Sequence, residues 1–69
     1  MKARANGTKG ERPDLSDGDP VIVAEPGIPE WHGTALSVKP GTEQWWVDVR
    51  NGGSNVWVLP ARHVRKETT

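Results

Sequence analysis

The chain contains no cysteine among its 69 residues. It therefore has no disulfide framework, and it has no thiolate to act as a metal ligand or a nucleophile. This absence fits a reducing compartment. The length suits one small domain, since domains of about 60 residues bury only about 60% of the surface that their unfolded chains expose. We expect a single domain held together by a small apolar core.

Long apolar runs are also absent. No stretch approaches the ~18 consecutive apolar residues of a membrane-spanning helix, and the first residues lack the apolar segment of a signal peptide. No segment shows the 3.6-residue apolar period of an amphipathic helix. We expect a cytoplasmic protein that makes no membrane contact and is built from strands.

An excess of either charge is missing as well. Nine basic and nine acidic residues give a formal net charge of zero, which removes the simplest argument for nucleic-acid binding. The distribution is uneven, because residues 18–61 are mildly acidic and both ends are mildly basic. Arg62, Arg65 and Lys66 are the candidate phosphate contacts if the chain ends lie together. A nucleic acid stacked on exposed indoles is therefore an alternative partner.

Recognisable catalytic groups are lacking too. His32 and His63 are the two histidines, whereas a zinc site usually has three or four protein ligands. Ser37 and Ser54 lie in no nucleophile elbow, and no carboxylate pair stands out. The GTKG segment at residues 7–10 does not have the spacing of a phosphate-binding loop. We expect no catalytic residue, no metal and no cofactor.

The chain is instead composed of short apolar runs separated by turn residues. Besides Met1, Leu15 is the one side chain larger than alanine or proline that is apolar in residues 1–17, so this segment is predicted to be a disordered tail. Strands are expected at residues 19–24, 33–39, 43–50, 55–59 and 63–66, with a 3₁₀-like turn before the last. The pattern predicts an all-β fold, a small five-stranded SH3-like barrel over residues 18–67.

The adjacent residues Trp45 and Trp46 fall in the third predicted strand, where successive side chains point to opposite faces. The NGGS segment that follows is a hairpin signal. With Gly52 and Gly53 as its central turn residues, Trp46 lies opposite Leu59. One hairpin face then carries the expected core residues Trp45, Val47, Val49, Val56 and Val58. The other face carries Trp46, Asp48, Arg50, Asn55, Trp57 and Leu59.

This second face places two indoles and a leucine on the outside of the barrel. Trp46 lies opposite Leu59 and diagonal to Trp57, within reach of an aromatic side chain. Either the chain covers this patch itself, with a loop or the tail, or the patch binds a protein partner or a second copy. We favour a non-enzymatic interaction module. The predicted partner-binding residues are Trp46, Trp57, Leu59, Asp48, Arg50, Trp31 and His32.

Three short motifs, GDPV from Gly18, WHG from Trp31 and VWVLP from Val56, follow one another along about the last fifty residues. Together they resemble the plasmid-borne type II dihydrofolate reductases. That resemblance implies an SH3-like barrel in a homotetramer, with folate and NADPH bound in a central pore against a Val-Gln-Ile-Tyr strand. The glutamine and tyrosine positions hold Trp57 and Leu59 here. The resemblance therefore implies the fold without the catalytic strand residues, and an oxidoreductase of this kind is a third hypothesis.

Overall fold

A computed structural model describes residues 10–68. The predicted disorder of residues 1–9 lies outside the described part. The strands are β1 (Pro20–Val23), β2 (Trp31–Pro40), β3 (Trp45–Arg50), β4 (Val56–Pro60) and β5 (Val64–Lys66). The predicted all-β class and the five strands are confirmed, and residues 10–68 contain no α-helix. None of these residues forms a helix long and apolar enough to cross a membrane.

The five strands form one antiparallel sheet in the order β4-β3-β2-β1-β5. The long β2 contacts both β1 and β3, and its ladder to β3 is interrupted by an irregularity between Ala35 and Ser37. A 3₁₀ turn at Ala61–His63, as predicted, connects β4 to β5. Within the described residues no ladder joins β4 to β5, so these two strands are the edges of the sheet.

The core lies on one side of the sheet and is made mainly of β-branched residues. In both β1 and β3 two buried valines are separated by a more exposed residue, as expected for strands that have one face in the interior. Pro20 is the first residue of β1, where a strand tolerates a missing amide hydrogen. The buried apolar residues are Leu15, Val21, Val23, Ala35, Val47, Val49, Leu59 and Val64.

The packed chain begins before the predicted boundary at Gly18. Leu15 is only 3% exposed and belongs to the core cluster. The same stretch is tied down by backbone groups, since the Gly18 N–H donates to the Ala35 carbonyl at 2.8 Å and the Trp45 indole N–H donates to the Gly10 carbonyl at 3.1 Å. The prediction for residues 1–17 was based on their low average hydrophobicity, which does not show that the single side chain of Leu15 anchors the segment to the core.

The hairpin between β3 and β4 has a register that differs by one residue from the prediction. Arg50 lies opposite Val56, and Trp46 lies opposite Pro60 rather than Leu59. The loop is longer than the predicted two-residue turn, because the Asn51 N–H donates to the Asn55 carbonyl at 3.4 Å. A two-residue turn of the expected type needs positive φ at both central residues. Of the loop residues only Gly52 has positive φ, at 98°.

This shift exchanges the two faces of β4, as any one-residue slip of a strand must. Leu59, predicted to be outside, lies opposite Val47 and is 7% exposed. Val56 and Val58, predicted to be in the core, are exposed. Trp57 is on the same side as Leu59, although 49% of it remains exposed. The predicted patch of Trp46, Trp57 and Leu59 therefore does not form.

Candidate functional site

The outer face of β3 carries Trp46, Asp48 and Arg50, on the side that the sequence predicted. Trp46 is half-buried by its own chain, because its indole lies against the backbone at Gly41, where an added Cβ would be 2.5 Å from Nε1. Arg50 is exposed at the other end of the strand, opposite Val56. The outward Trp46 is thus partly covered by the turn before β3.

Asp48 occupies the middle of this face, and its carboxylate is largely enclosed. One oxygen, Oδ2, accepts a hydrogen bond from the Ser37 hydroxyl at 2.9 Å and lies 3.2 Å from the Lys39 ammonium nitrogen. The other oxygen, Oδ1, is buried and has no hydrogen-bond partner within residues 10–68. Asp48 therefore holds β2 against β3 at their outer face, directly across from Val58 of β4.

The free edge of the sheet at β4 is apolar. Val58 is 60% exposed, Val56 and Trp57 are about half exposed, and no charged residue occurs in the strand. Hydrogen-bonded pairs alternate along an antiparallel ladder. Because Asn51 and Asn55 are hydrogen-bonded, the backbone N–H and C=O groups of Val56 and Val58 point away from β3. Within residues 10–68 this edge therefore presents two unpaired donors and two unpaired acceptors beside exposed valines.

The opposite edge, β5, has a different character. It is three residues long, and Arg65 and Lys66 are exposed there. Arg65 lies 3.5 Å from Glu30, and Lys66 lies 3.6 Å from Asp19 and 3.9 Å from Asp14, measured between charged atoms. Short length and charged side chains are the usual protections of a sheet edge. The β5 edge has both, whereas β4 contains no charged residue and no other strand of the described residues pairs with its outer edge.

A cleft of about 370 Å³ opens beside β4, on the core side of the sheet. It brings together four predicted site residues, namely Trp31, His32, Trp57 and Leu59, and adds Glu25, Ile28 and Asn51. Trp31 packs against the core, while Ile28 is exposed at the rim. Its lining is mainly apolar and includes two of the four indoles of the chain.

The position of Trp31 in this cleft depends on Gly33. A Cβ on Gly33 would lie 2.6 Å from the Arg50 carbonyl oxygen, 2.7 Å from Val49 Cγ1 and 3.1 Å from Trp31 Cζ3. Trp31 and Gly33 share a face of β2, so the indole extends along the strand over the glycine. Because Gly33 has no side chain, the indole of Trp31 can lie over it and form one wall of the cleft.

Polar groups surround the apolar part of the cleft. His32 Nδ1 is 3.0 Å from Glu67 Oε1 beyond the end of β5. Glu25 Oε2 is 3.7 Å from His63 Nδ1, and that ring nitrogen is buried without a hydrogen-bond partner within the described residues. The cleft itself contains one carboxylate, from Glu25, and no lysine or arginine among residues 10–68 lines it.

A second, more polar cleft of about 580 Å³ lies at the other end of the sheet, around Trp45. Arg62, one of the predicted phosphate contacts, lines it and contacts the side-chain oxygen of Gln44. Glu11 and Glu43 also line it, so acidic groups accompany the arginine. The other two predicted phosphate contacts are on β5, where they pair with carboxylates. The three cations thus lie among acidic neighbours.

No group of three or more histidine, cysteine, aspartate or glutamate side chains is close enough to hold a metal ion within the described range. Five residues that the structure places at the candidate sites were not predicted to be there, namely Val56, Val58, Glu25, Ile28 and Asn51. The two valines were assigned to the core by the wrong register. Glu25 and Ile28 belong to a loop whose path no local pattern predicts, and Asn51 is at the start of the loop between β3 and β4. A loop of three residues in place of the two-residue turn leads to exposed valines.

We compared the chain with models of protein families, with curated proteins and with solved structures, and none of them matched.

Proposed function

We propose that this domain is a non-enzymatic interaction module that associates with a second copy of itself through the edge of β4. The observation that carries the proposal is the apolar edge at Val56–Pro60, with which no further strand of residues 10–68 pairs and which has outward backbone groups at two positions. Strand addition uses such an edge, since main-chain hydrogen bonds supply affinity and alternate side chains supply specificity. The function is the one predicted from the sequence, but the binding surface is the edge of β4 and not the outer hairpin face of Trp46, Trp57 and Leu59.

A second copy is favoured because the exposed part of β4 is symmetric about Trp57. In an antiparallel pair with its two-fold axis at Trp57, Val56 of one chain lies opposite Val58 of the other. Val56 and Val58 are the residues whose backbone groups point outward. In the pair, the N–H and C=O groups of each therefore form hydrogen bonds with the other chain. The four valines then form one apolar cluster on the outer face, and the two Trp57 side chains meet on the inner face.

The contrast between the edges explains why such an association ends at two chains. A sheet with two open edges continues to add copies, whereas one open edge gives a closed pair. At β5 the strand is only three residues long, and it carries the exposed charged side chains of Arg65 and Lys66, two features that protect a sheet edge from pairing. Pro60 at the end of β4 provides no backbone donor and limits the length of the added ladder.

The acidic surroundings of the basic residues support a protein partner over a nucleic acid. Lys39, Arg65 and Lys66 each lie within 4.0 Å of a carboxylate oxygen of the same domain. A phosphate would have to compete with these carboxylates, and a mildly acidic surface repels a polyanion at a distance. No observation favours the reductase hypothesis, because the position that resembles its tyrosine is Leu59, which is buried in the core.

The test is sedimentation equilibrium of the full chain over a wide concentration range. Val58→Pro removes one outward N–H and leaves the ladder to β3 intact, so we expect it to convert the dimer to a monomer without unfolding the domain. Val58→Lys should act in the same way by placing a charge at the edge. Thr68→Lys is the matched control, because Thr68 is also exposed but follows β5 at the opposite edge of the sheet, and it should leave association unchanged.

Hydrogen exchange gives a second measurement of the same proposal. The amides of Val56 and Val58 should exchange rapidly in dilute solution and slowly at high concentration, while the amide of Trp57 should be protected at both. A wild-type chain that stays monomeric at about millimolar concentration would overturn the proposal, because association that weak is too weak for a specific interface. Dimerisation that persists in Val58→Pro would do so too.

A further inference from the structure

The cleft between Trp31 and Trp57 lies on the core side of the sheet and shares Trp57 with the pairing edge. The sides are formed by two indoles together with Leu59 and Ile28, and a single carboxylate, from Glu25, lines it. At about 370 Å³ it falls within the range of small-molecule sites, which are mostly apolar with a few polar groups. We propose that this cleft binds an organic cation of the quaternary or methylated ammonium class.

The indoles supply the first argument for a cation. The faces of aromatic rings carry a negative quadrupole potential, and indole attracts cations more strongly than the rings of tyrosine or phenylalanine. Trp31 is held by its packing against the core and over Gly33, so it is ordered before any ligand arrives. Trp57 is on the neighbouring side of the cleft and is half exposed, which leaves ring surface for contact.

Charge supplies the second argument. Glu25 lines the cleft, and no lysine or arginine of residues 10–68 does so. His32, which also lines the cleft, has its Nδ1 atom 3.0 Å from Glu67, which is not a lining residue. An anion would meet one acidic residue and no lysine or arginine. A cation would be attracted by both the rings and Glu25.

The size and polarity of the lining favour an alkylated ammonium over a bare one. A primary ammonium is strongly hydrated and needs several hydrogen-bond acceptors to replace its water. The cleft provides few acceptors and much apolar surface. A trimethylammonium group carries the same charge with an apolar exterior, so it makes both the cation–π contact and the apolar contact. Such a group occurs in free small molecules and on trimethylated lysine side chains, and the experiment includes both.

The experiment is an NMR and fluorescence titration of the full chain with tetramethylammonium, with choline and with a trimethyllysine peptide. The neutral isostere 3,3-dimethylbutanol and the unmodified lysine peptide serve as matched probes. We expect saturable binding of at least one trimethylammonium probe, with chemical shift changes at Trp31 and Trp57. The corresponding matched probe should bind about five- to tenfold more weakly. Binding of the peptide alone would assign the cation to a protein side chain, and binding of the small cations would support the same site.

Variants separate the cation site from a merely apolar cleft. Glu25→Gln removes the charge without changing the shape, and Trp57→Leu replaces a half-exposed indole by an apolar side chain of smaller size. Both should weaken tetramethylammonium binding about fivefold or more and leave the neutral isostere unaffected or slightly improved. Trp46→Leu, on the other face of the sheet, should leave the affinities for tetramethylammonium and for the neutral isostere unchanged. Because Trp57 also belongs to the pairing edge, every titration is repeated in the Val58→Pro background, which removes dimerisation and leaves the cleft residues unchanged.

Two outcomes would overturn the inference. The first is the absence of saturable binding by every trimethylammonium probe in a chain whose spectrum shows it to be folded. The second is equal affinity for choline and for its neutral isostere, because the cleft would then recognise apolar volume and not charge.

Discussion

Val49 of β3 lies directly opposite Trp57 of β4, and this pairing places the indole on the core side of the sheet. Val49 is fully buried, so its cross-strand neighbour lies over the core side rather than on the outer face. The pairing is one residue removed from the pairing of Asp48 with Trp57 that a two-residue turn predicts. The observed pairing of Val49 with Trp57 determines which residues form both candidate sites. It places Trp57 in the cleft and leaves Val56 and Val58 exposed at the sheet edge.

The register can be tested by truncating neighbouring residues of β4. Leu59→Ala should destabilise the domain by about 2–5 kcal/mol, because Leu59 is buried and its removal leaves a cavity in a small core. Val58→Ala should cost less than about 1 kcal/mol, since that side chain is exposed. Urea denaturation measures both. The opposite ranking would restore the predicted register.

The loop between β3 and β4 offers a matched pair of glycines. Gly52 has φ of 98°, whereas Gly53 has negative φ, and an added Cβ meets no atom within 4 Å at either position. Gly52→Ala should therefore destabilise the domain by about 1–2 kcal/mol through backbone strain alone. Gly53→Ala should be neutral or slightly stabilising. Equal unfolding midpoints for the two variants would contradict the loop geometry.

Gly33 should tolerate no side chain. A Cβ there would be 2.6 Å from a backbone oxygen of Arg50, and a backbone in the centre of a sheet cannot withdraw as a flexible side chain can. Gly33→Ala should cost about 1–3 kcal/mol and should displace Trp31, which a change in its fluorescence would reveal. Gly53→Ala is the control for the same substitution in open space. A Gly33→Ala protein with wild-type stability and fluorescence would refute the close packing.

Leu15 should contribute to stability although it precedes the first strand. Its truncation to alanine should cost about 2–4 kcal/mol, because the side chain is buried in the core cluster. Ile28→Ala is the control, since Ile28 is of similar size and largely exposed, and it should cost under about 1 kcal/mol. Thermal unfolding of the two variants is the measurement. Indistinguishable melting temperatures would show that the segment before Gly18 does not pack.

Most of the fold followed from short-range patterns. Alternation in the third predicted strand identified Val47 and Val49 as interior residues, because a strand with one buried face repeats every two residues. Turn residues gave the number of strands, and the ARH segment gave the 3₁₀ turn. The candidate sites followed less directly from the sequence. Trp31, His32, Trp57 and Leu59 were predicted to bind a partner and line one cleft in the structure, whereas Glu25, Ile28 and Asn51, which line it with them, were not predicted.

By itself, the sequence determined that this chain is an all-β domain of five strands, that Trp45 and Trp46 face opposite ways, and that it has no cysteine chemistry. Only the tertiary structure decided which face of β4 enters the core. Val56, Trp57, Val58 and Leu59 are all apolar, so this strand carries no alternation of its own, and its orientation depends on the loop before it. One additional loop residue buried Leu59, exposed the two valines at the sheet edge and moved Trp57 into the cleft.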